Sequence, residues 1–141
     1  MFKLKQSQQG LAAVEMTLVL PILLLFFFAT AEFGRLLYQY NALTKAARDA
    51  ARYYASNHDG ASSEVDTRRI LIYGHLNDST TEILPNLAAA TFDVDDDGKF
   101  VTVTVSYPWQ PIWGDSLPSF VSDTSFDLSF DLVSTYTLRV L

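Results

Sequence analysis

A chain of 141 residues has room for one domain and an anchor, but not for two ordinary domains. Its 49% hydrophobic and 18% charged residues, with mean hydropathy +0.13, exclude both a disordered tail and a polytopic membrane protein. The absence of cysteine excludes a disulfide framework and a thiolate metal site, and a formal charge of -6 argues against a nucleic-acid partner.

The excess apolarity is local. Leu11 to Ala31 reads LAAVEMTLVLPILLLFFFATA, with Glu15 as its one charge. As a helix it rises about 31 Å, enough to cross a hydrocarbon core. Lys3 and Lys5 precede it with no acidic residue in the first ten, so the positive-inside rule keeps the N-terminus cytoplasmic and exports the rest. Loss of residues 1–10 would remove both lysines and take the formal charge from -6 to -8.

No turn signal ends the span. Phe33, Leu36, Leu37, Tyr40, Leu43, Ala47, Ala51 and Tyr54 continue at helical spacing and predict a packing stripe. Arg35, Gln39, Lys45, Asp49 and Arg52 fall on other faces, and the alanines between Ala42 and Ala55 favour helix. One helix from about Leu11 to Ser56 is expected, with Pro21 and Gly34 as soft points and NHDGASS, residues 57–63, as the stop.

A second helix is expected over Glu64–Leu76, with Ser63 as N-cap, Glu64 and Asp66 in the first turn, and Val65, Ile72 and Leu76 facing inward. Gly74 falls in its last turn. Thr81–Leu84 can form a helical turn that Pro85 limits. From Thr91 the period becomes two: Phe92 and Val94, then DDDG, then Val101, Val103, Val105 and Tyr107 alternating with polar residues predict a β-hairpin. After a loop from Pro108 to Pro118, the residues Phe126, Leu128, Phe130, Leu132, Tyr136, Leu138 and Val140 keep one parity, as one long strand or two in line.

The boundaries that follow are a basic leader 1–10, a membrane half-helix 11–31, an amphipathic half-helix 32–56 and an exported head 57–141. The fold class is α+β: one long N-terminal helix packed on a small antiparallel sheet, with a second short helix.

The junction of leader and span, QSQQG-LAAVE, carries the most information. A carboxylate in an apolar helix costs about 2.5–3.5 kcal/mol near the bilayer centre and less near its edge. Cleavage between Gly10 and Leu11 would place a new α-amino group one turn from Glu15, or from the Glu15 of a neighbouring subunit, making the carboxylate a register device. The alternative is a Glu15 that snorkels to water with no partner.

Asp93, Asp95 and Asp97, with Gly98, match the first half of a calcium loop, but the twelfth position is Thr104. A hairpin turn with Gly98 at positive φ is the stronger reading, weak calcium binding the lesser one, and no cofactor is expected. Tyr107, Trp109 and Trp113 place three aromatics in a loop that either contacts a partner or caps the sheet edge. His58 and His75 are isolated, and no serine has an accompanying base, so no catalytic site is expected.

The run from Gly10 to Ala55 resembles the N-terminal signature of TadE-like minor pilins, or pseudopilins, of the tight-adherence (Flp) branch of type IV pili. The matching pieces are Gly10, Glu15 at the fifth mature position, LVLPILLL with Pro21, Glu32-Phe33-Gly34-Arg35, and Ala47-Arg48-Asp49-Ala50-Ala51-Arg52-Tyr53. Met16 stands where major Flp pilins usually have tyrosine, which favours the minor-pilin branch. The resemblance implies cleavage by a prepilin peptidase after Gly10, residence in the inner membrane, and partnership with other pilin subunits and the assembly machinery of a thin adhesive pilus. It leaves the head unaddressed. A competing grammar is Ala29-Thr30-Ala31, an A-x-A signal-peptidase site that would start a mature, soluble protein at Glu32. A signal-anchored envelope protein whose head binds a partner is the remaining alternative.

Overall fold

Alanine, leucine and the unbranched polar residues of the first third have the propensities of one long helix, and α1 runs Leu4–Asn57 in the computed structural model. The structure describes residues 4–57, 63–77, 81–112, 114–118 and 124–140. The helix starts within the leader, ahead of the expected Leu11, because Lys5 to Gln9 are good helix formers with no breaker among them. Its last turn is closed by side chains: Ser56 Oγ and Asn57 Nδ2 both donate to the Tyr53 carbonyl at 2.9 Å.

The chain divides into two compact units, Met1–Arg35 and Leu36–Leu141. In the first, Gly10 to Ala31 are exposed throughout, and the helix from Gly10 carries a window of mean hydropathy 2.4, long and apolar enough to cross a membrane. Its hydroxyls are satisfied within the helix. Thr17 Oγ1 donates to the Ala13 carbonyl at 2.7 Å and Thr30 Oγ1 to that of Phe26 at 2.8 Å, which removes the cost of carrying them into lipid. Pro21 lies inside the helix and lacks the amide that would bond the Thr17 carbonyl.

The second unit is the head. Helix α2 spans Ser63–Tyr73 and stops where Gly74 takes φ 78° and donates its N–H to the Ile70 carbonyl at 2.8 Å, an αL cap open to glycine without Cβ strain. Leu76 therefore lies beyond the helix and is exposed, as is Val65. The inward residues are Thr67, Leu71 and Ile72, which corrects the expected set. No helical turn forms over Thr81–Leu84. The turn comes after Pro85, a 3-10 segment Leu87–Ala89, with Leu84 and Leu87 buried.

Strand β1, Thr91–Asp96, pairs antiparallel with β2, Phe100–Pro108, from Thr91 opposite Ser106 to Asp96 opposite Val101. Beyond the loop, β3 (Ser116–Pro118) pairs with β4 (Ser125–Asp127), and β5 (Asp131–Arg139) pairs antiparallel with β2. The order β1-β2-β5 puts β2 in the middle. The constant parity from Phe126 to Val140 is thus two strands. Asp127 interrupts them: its carboxylate accepts from the Ser129 N–H at 2.8 Å and from the Ser129 hydroxyl, forming a tight Asx turn.

One buried cluster unites the head: Leu43, Ala46, Ala47, Ala50 and Ala51 of α1, Leu71 of α2, Leu84 and Leu87, Val101, Val103, Val105 and Tyr107 of β2, and Leu132 of β5. Small alanines of the helix and β-branched residues of the strand share this cluster, the α+β architecture the period change predicts.

Candidate functional site

Gly10 and Leu11 both lie within α1. Nothing approaches within 4 Å of the place where a Cβ on Gly10 would sit, and Leu11 is 73% exposed. Glu15 is exposed four residues on, so it shares the helix face of Leu11.

The predicted packing stripe is only half buried. Leu43, Ala47 and Ala51 are fully buried and Leu36 is half-buried, but Phe33 is 61% exposed and Leu37 and Tyr40 are each 43% exposed. At about 100° per residue, Phe33 falls at the same angle round the helix as the buried Ala51 and Tyr40 falls between Ala47 and Ala51, so only Leu37, about 120° from Leu43, is carried off the buried face by its angle. The buried face also takes in Gln39, Ala46 and Ala50. Gln39, which polarity assigns to another face, is 1% exposed. Its Nε2 donates to the Gln110 carbonyl and its Oε1 accepts the Gln110 N–H, each at 3.2 Å, so both ends of the amide are matched. Its spacing four residues before Leu43 was the available signal, hidden by counting only apolar residues.

The aspartate-rich run is a built turn. Asp96 Oδ1 accepts the Gly98 N–H at 2.8 Å, Asp97 Oδ1 accepts those of Lys99 at 2.8 Å and Phe100 at 2.5 Å, and Gly98 takes φ 75°. Asp93 and Asp95 lie on β1 opposite Thr104 and Thr102, exposed. Among the described residues no group of three or more His, Cys, Asp or Glu is arranged to hold a metal ion. The Phe100 and Lys99 amides, then the Lys99 charge, hold the Asp97 carboxyl below its ordinary range. A depressed folded-state pKa contributes stability that is present above the unfolded carboxylate range and lost as pH falls through the folded value. Asp97→Ala should therefore lower the midpoint of thermal unfolding at neutral pH and narrow the difference between neutral and acid pH. Asp95→Ala should leave the midpoint unchanged, in chelator and in calcium alike. A calcium-dependent rise of several degrees in the natural chain that Asp95→Ala abolishes would overturn this.

The aromatic loop does not present its rings to a partner, which corrects that reading for two of the three. Tyr107 is fully buried, its hydroxyl donating to the Pro85 carbonyl at 2.8 Å. Trp109 is buried and stacked on Phe130, ring centroids 5.6 Å apart at 10°. The alternation of β2, which ends at Pro108, carries Tyr107 inward, and Trp109 follows on the same parity. Trp113 and His58 lie outside the described residues. His75 is exposed, its Nδ1 3.1 Å from the Asn77 carbonyl.

These features define a class: a small α+β head on an N-terminal helix long and apolar enough to cross a bilayer. Residues 10–52 match the model of a family described as TadE-like protein, a span that begins at Gly10 and contains Glu15, Pro21 and the alanine face of α1. Across that span the chain is similar to TadE-like proteins. No curated protein and no solved structure gives a significant match to the chain.

Proposed function

We propose that this chain is a minor pilin or pseudopilin that takes part in assembling a thin adhesive pilus of the tight-adherence type. The observation that carries the reading is the family match, which opens on Gly10 and follows the helix through Glu15 to Arg52. On this reading the leader lies in the cytoplasm, Leu11–Ala31 holds the subunit in the inner membrane, and the head is exported. A prepilin peptidase cuts between Gly10 and Leu11, and the assembly machinery then draws the helix among those of other subunits. The chain's own contribution is structural: an anchor, a register carboxylate and a folded head.

Gly10 suits the cut physically. A glycine inside a helix costs roughly 0.5–1 kcal/mol relative to alanine, so α1 opens more readily there than at an alanine, and the missing side chain lets another backbone approach. The mature chain should begin at Leu11, read as the intact mass of protein from its native envelope. Gly10→Lys should leave the chain at precursor length in the membrane. A mature mass starting at Glu32 would replace this reading with a soluble exported protein, and a chain retained from Met1 would favour a signal anchor.

A further inference from the structure

The three-stranded sheet has two edges, and they differ. The edge of β1 carries Asp93, Asp95 and Asp96, so a second acidic strand laid beside it would be repelled. Strand β5 opens with Asp131 and closes with Arg139, and among the described residues no strand pairs with its outer side. Its parity is fixed by two bonds in line with the β2 ladder. Val140 N–H donates to the Lys99 carbonyl at 3.0 Å and Trp109 N–H to the Phe130 carbonyl at 3.3 Å, so the even-numbered residues of β5 bond to β2. Asp131, Val133, Thr135, Thr137 and Arg139 consequently turn their N–H and C=O groups to the open edge. Their side chains are all exposed on the outer face, whereas Leu132 and Ser134 are buried and Tyr136 and Leu138 half-buried on the inner one.

We propose that the β5 edge pairs with the β5 edge of a second copy of this chain, antiparallel about a two-fold axis at Thr135. In that register Thr135 faces Thr135, Val133 faces Thr137, and Asp131 faces Arg139 at both ends, all of them residues whose backbone groups point to the edge. Opposite charges meet twice, and the half-buried Leu138 meets Leu132 on the inner face. Shifting by two residues puts Arg139 opposite Val133 or Asp131 opposite Thr137 and loses the charge match. Shifting by one sets bonding groups against non-bonding ones and flips the faces. The charges therefore select a single isologous register, and the product is one continuous sheet in the order β1-β2-β5-β5-β2-β1. The pairing rests on the head alone and does not require the pilus reading.

The natural chain has no cysteine, so single cysteines report the register cleanly. Full-length chains carrying Val133→Cys, Thr135→Cys or Thr137→Cys are oxidised mildly in native membranes. Paired residues across a bonded antiparallel site have Cα atoms about 5.5 Å apart, within disulfide reach. Identical cysteines at 133 or 137 would be four residues out of register, about 14 Å along the strand. A dimer of twice the chain mass should form with Thr135→Cys several-fold more than with the other two. Adding Arg139→Asp to the Thr135→Cys chain should cut the yield several-fold, and adding Asp131→Arg as well should restore it. Equal crosslinking at all three positions, no crosslinking with Thr135→Cys, an adduct of that variant with a different protein, or no rescue in a folded charge-swapped chain would overturn the proposal. Should the swap unfold the head, because Asp131 also accepts a hydrogen bond from Ser106 at 2.9 Å, the three single cysteines still decide it.

Discussion

Ala50→Leu should destabilise the head by about 1–3 kcal/mol, the usual cost of forcing extra methylenes into a close-packed core. Ala50 is fully buried, within a patch made with Ala46, Ala47 and Ala51 where α1 meets the sheet cluster. Leucine and alanine differ little in helix propensity, so the loss reports packing and leaves the helix itself intact. A head of this size without disulfides has a stability of order 5–15 kcal/mol, of which this is a large fraction. Ala50→Asp should cost more, because a carboxylate there would be buried without a partner. Lys45→Leu, on the exposed side of the same helix, should change stability by less than about 0.5 kcal/mol. The readout is the fraction resistant to pulse proteolysis in a urea series, with the full chain in detergent. If Ala50→Leu matches Lys45→Leu, α1 does not pack closely on the sheet.

The same patch shows what a linear reading can and cannot recover. The β1–β2 hairpin was legible because alternation, an aspartate-glycine turn and β-branched residues agree, and local chemistry alone decides such a turn. The continuity and C-terminal end of α1 were legible for a similar reason, since only Pro21 and Gly34 oppose helix between Leu11 and Asn57. The buried part of α1 was not. Phe33 and Tyr40 share the angular range of the buried Ala47 and Ala51 and are exposed all the same, because spacing gives the face of a helix and not how far along it other elements cover that face. Gln39 joins the buried face because Gln110 satisfies both ends of its amide. The inward parity of Tyr107 was legible in the strand alternation, whereas the contacts of Tyr107 and Trp109 with Pro85 and Phe130 were not, because those partners are distant in sequence. At the start of the apolar span Gly10 and Glu15 stood out in the sequence, since a lone carboxylate in an apolar helix needs no tertiary context to be noticed.

On the proposed pilin reading, Glu15→Leu should leave membrane insertion and cleavage after Gly10 intact while reducing assembled pili to a small fraction of normal. The replacement makes the span more apolar, so insertion becomes easier. Recognition at Gly10 and Leu11 lies four to five residues away and loses nothing. After cleavage the α-amino group at Leu11 is a cation on the same helix face as position 15, and both residues are exposed. In water or at the headgroup surface that amine is solvated and the loss of Glu15 costs little. Among packed helices it is not, and removing one partner of a buried pair typically costs about 3–5 kcal/mol because the other charge stays unpaired. Repeated at each subunit that enters, even part of that penalty would stop growth, so the defect belongs to the step after processing. Glu15→Gln separates charge from shape: it keeps the length and hydrogen-bonding oxygen but cannot neutralise an ammonium, and should share most of the defect. The measurement is paired, the mature mass from isolated membranes and sheared surface pili from the same cells. Normal pili from a cleaved Glu15→Leu chain would mean that this carboxylate is not a packing device and only snorkels at the cytoplasmic interface.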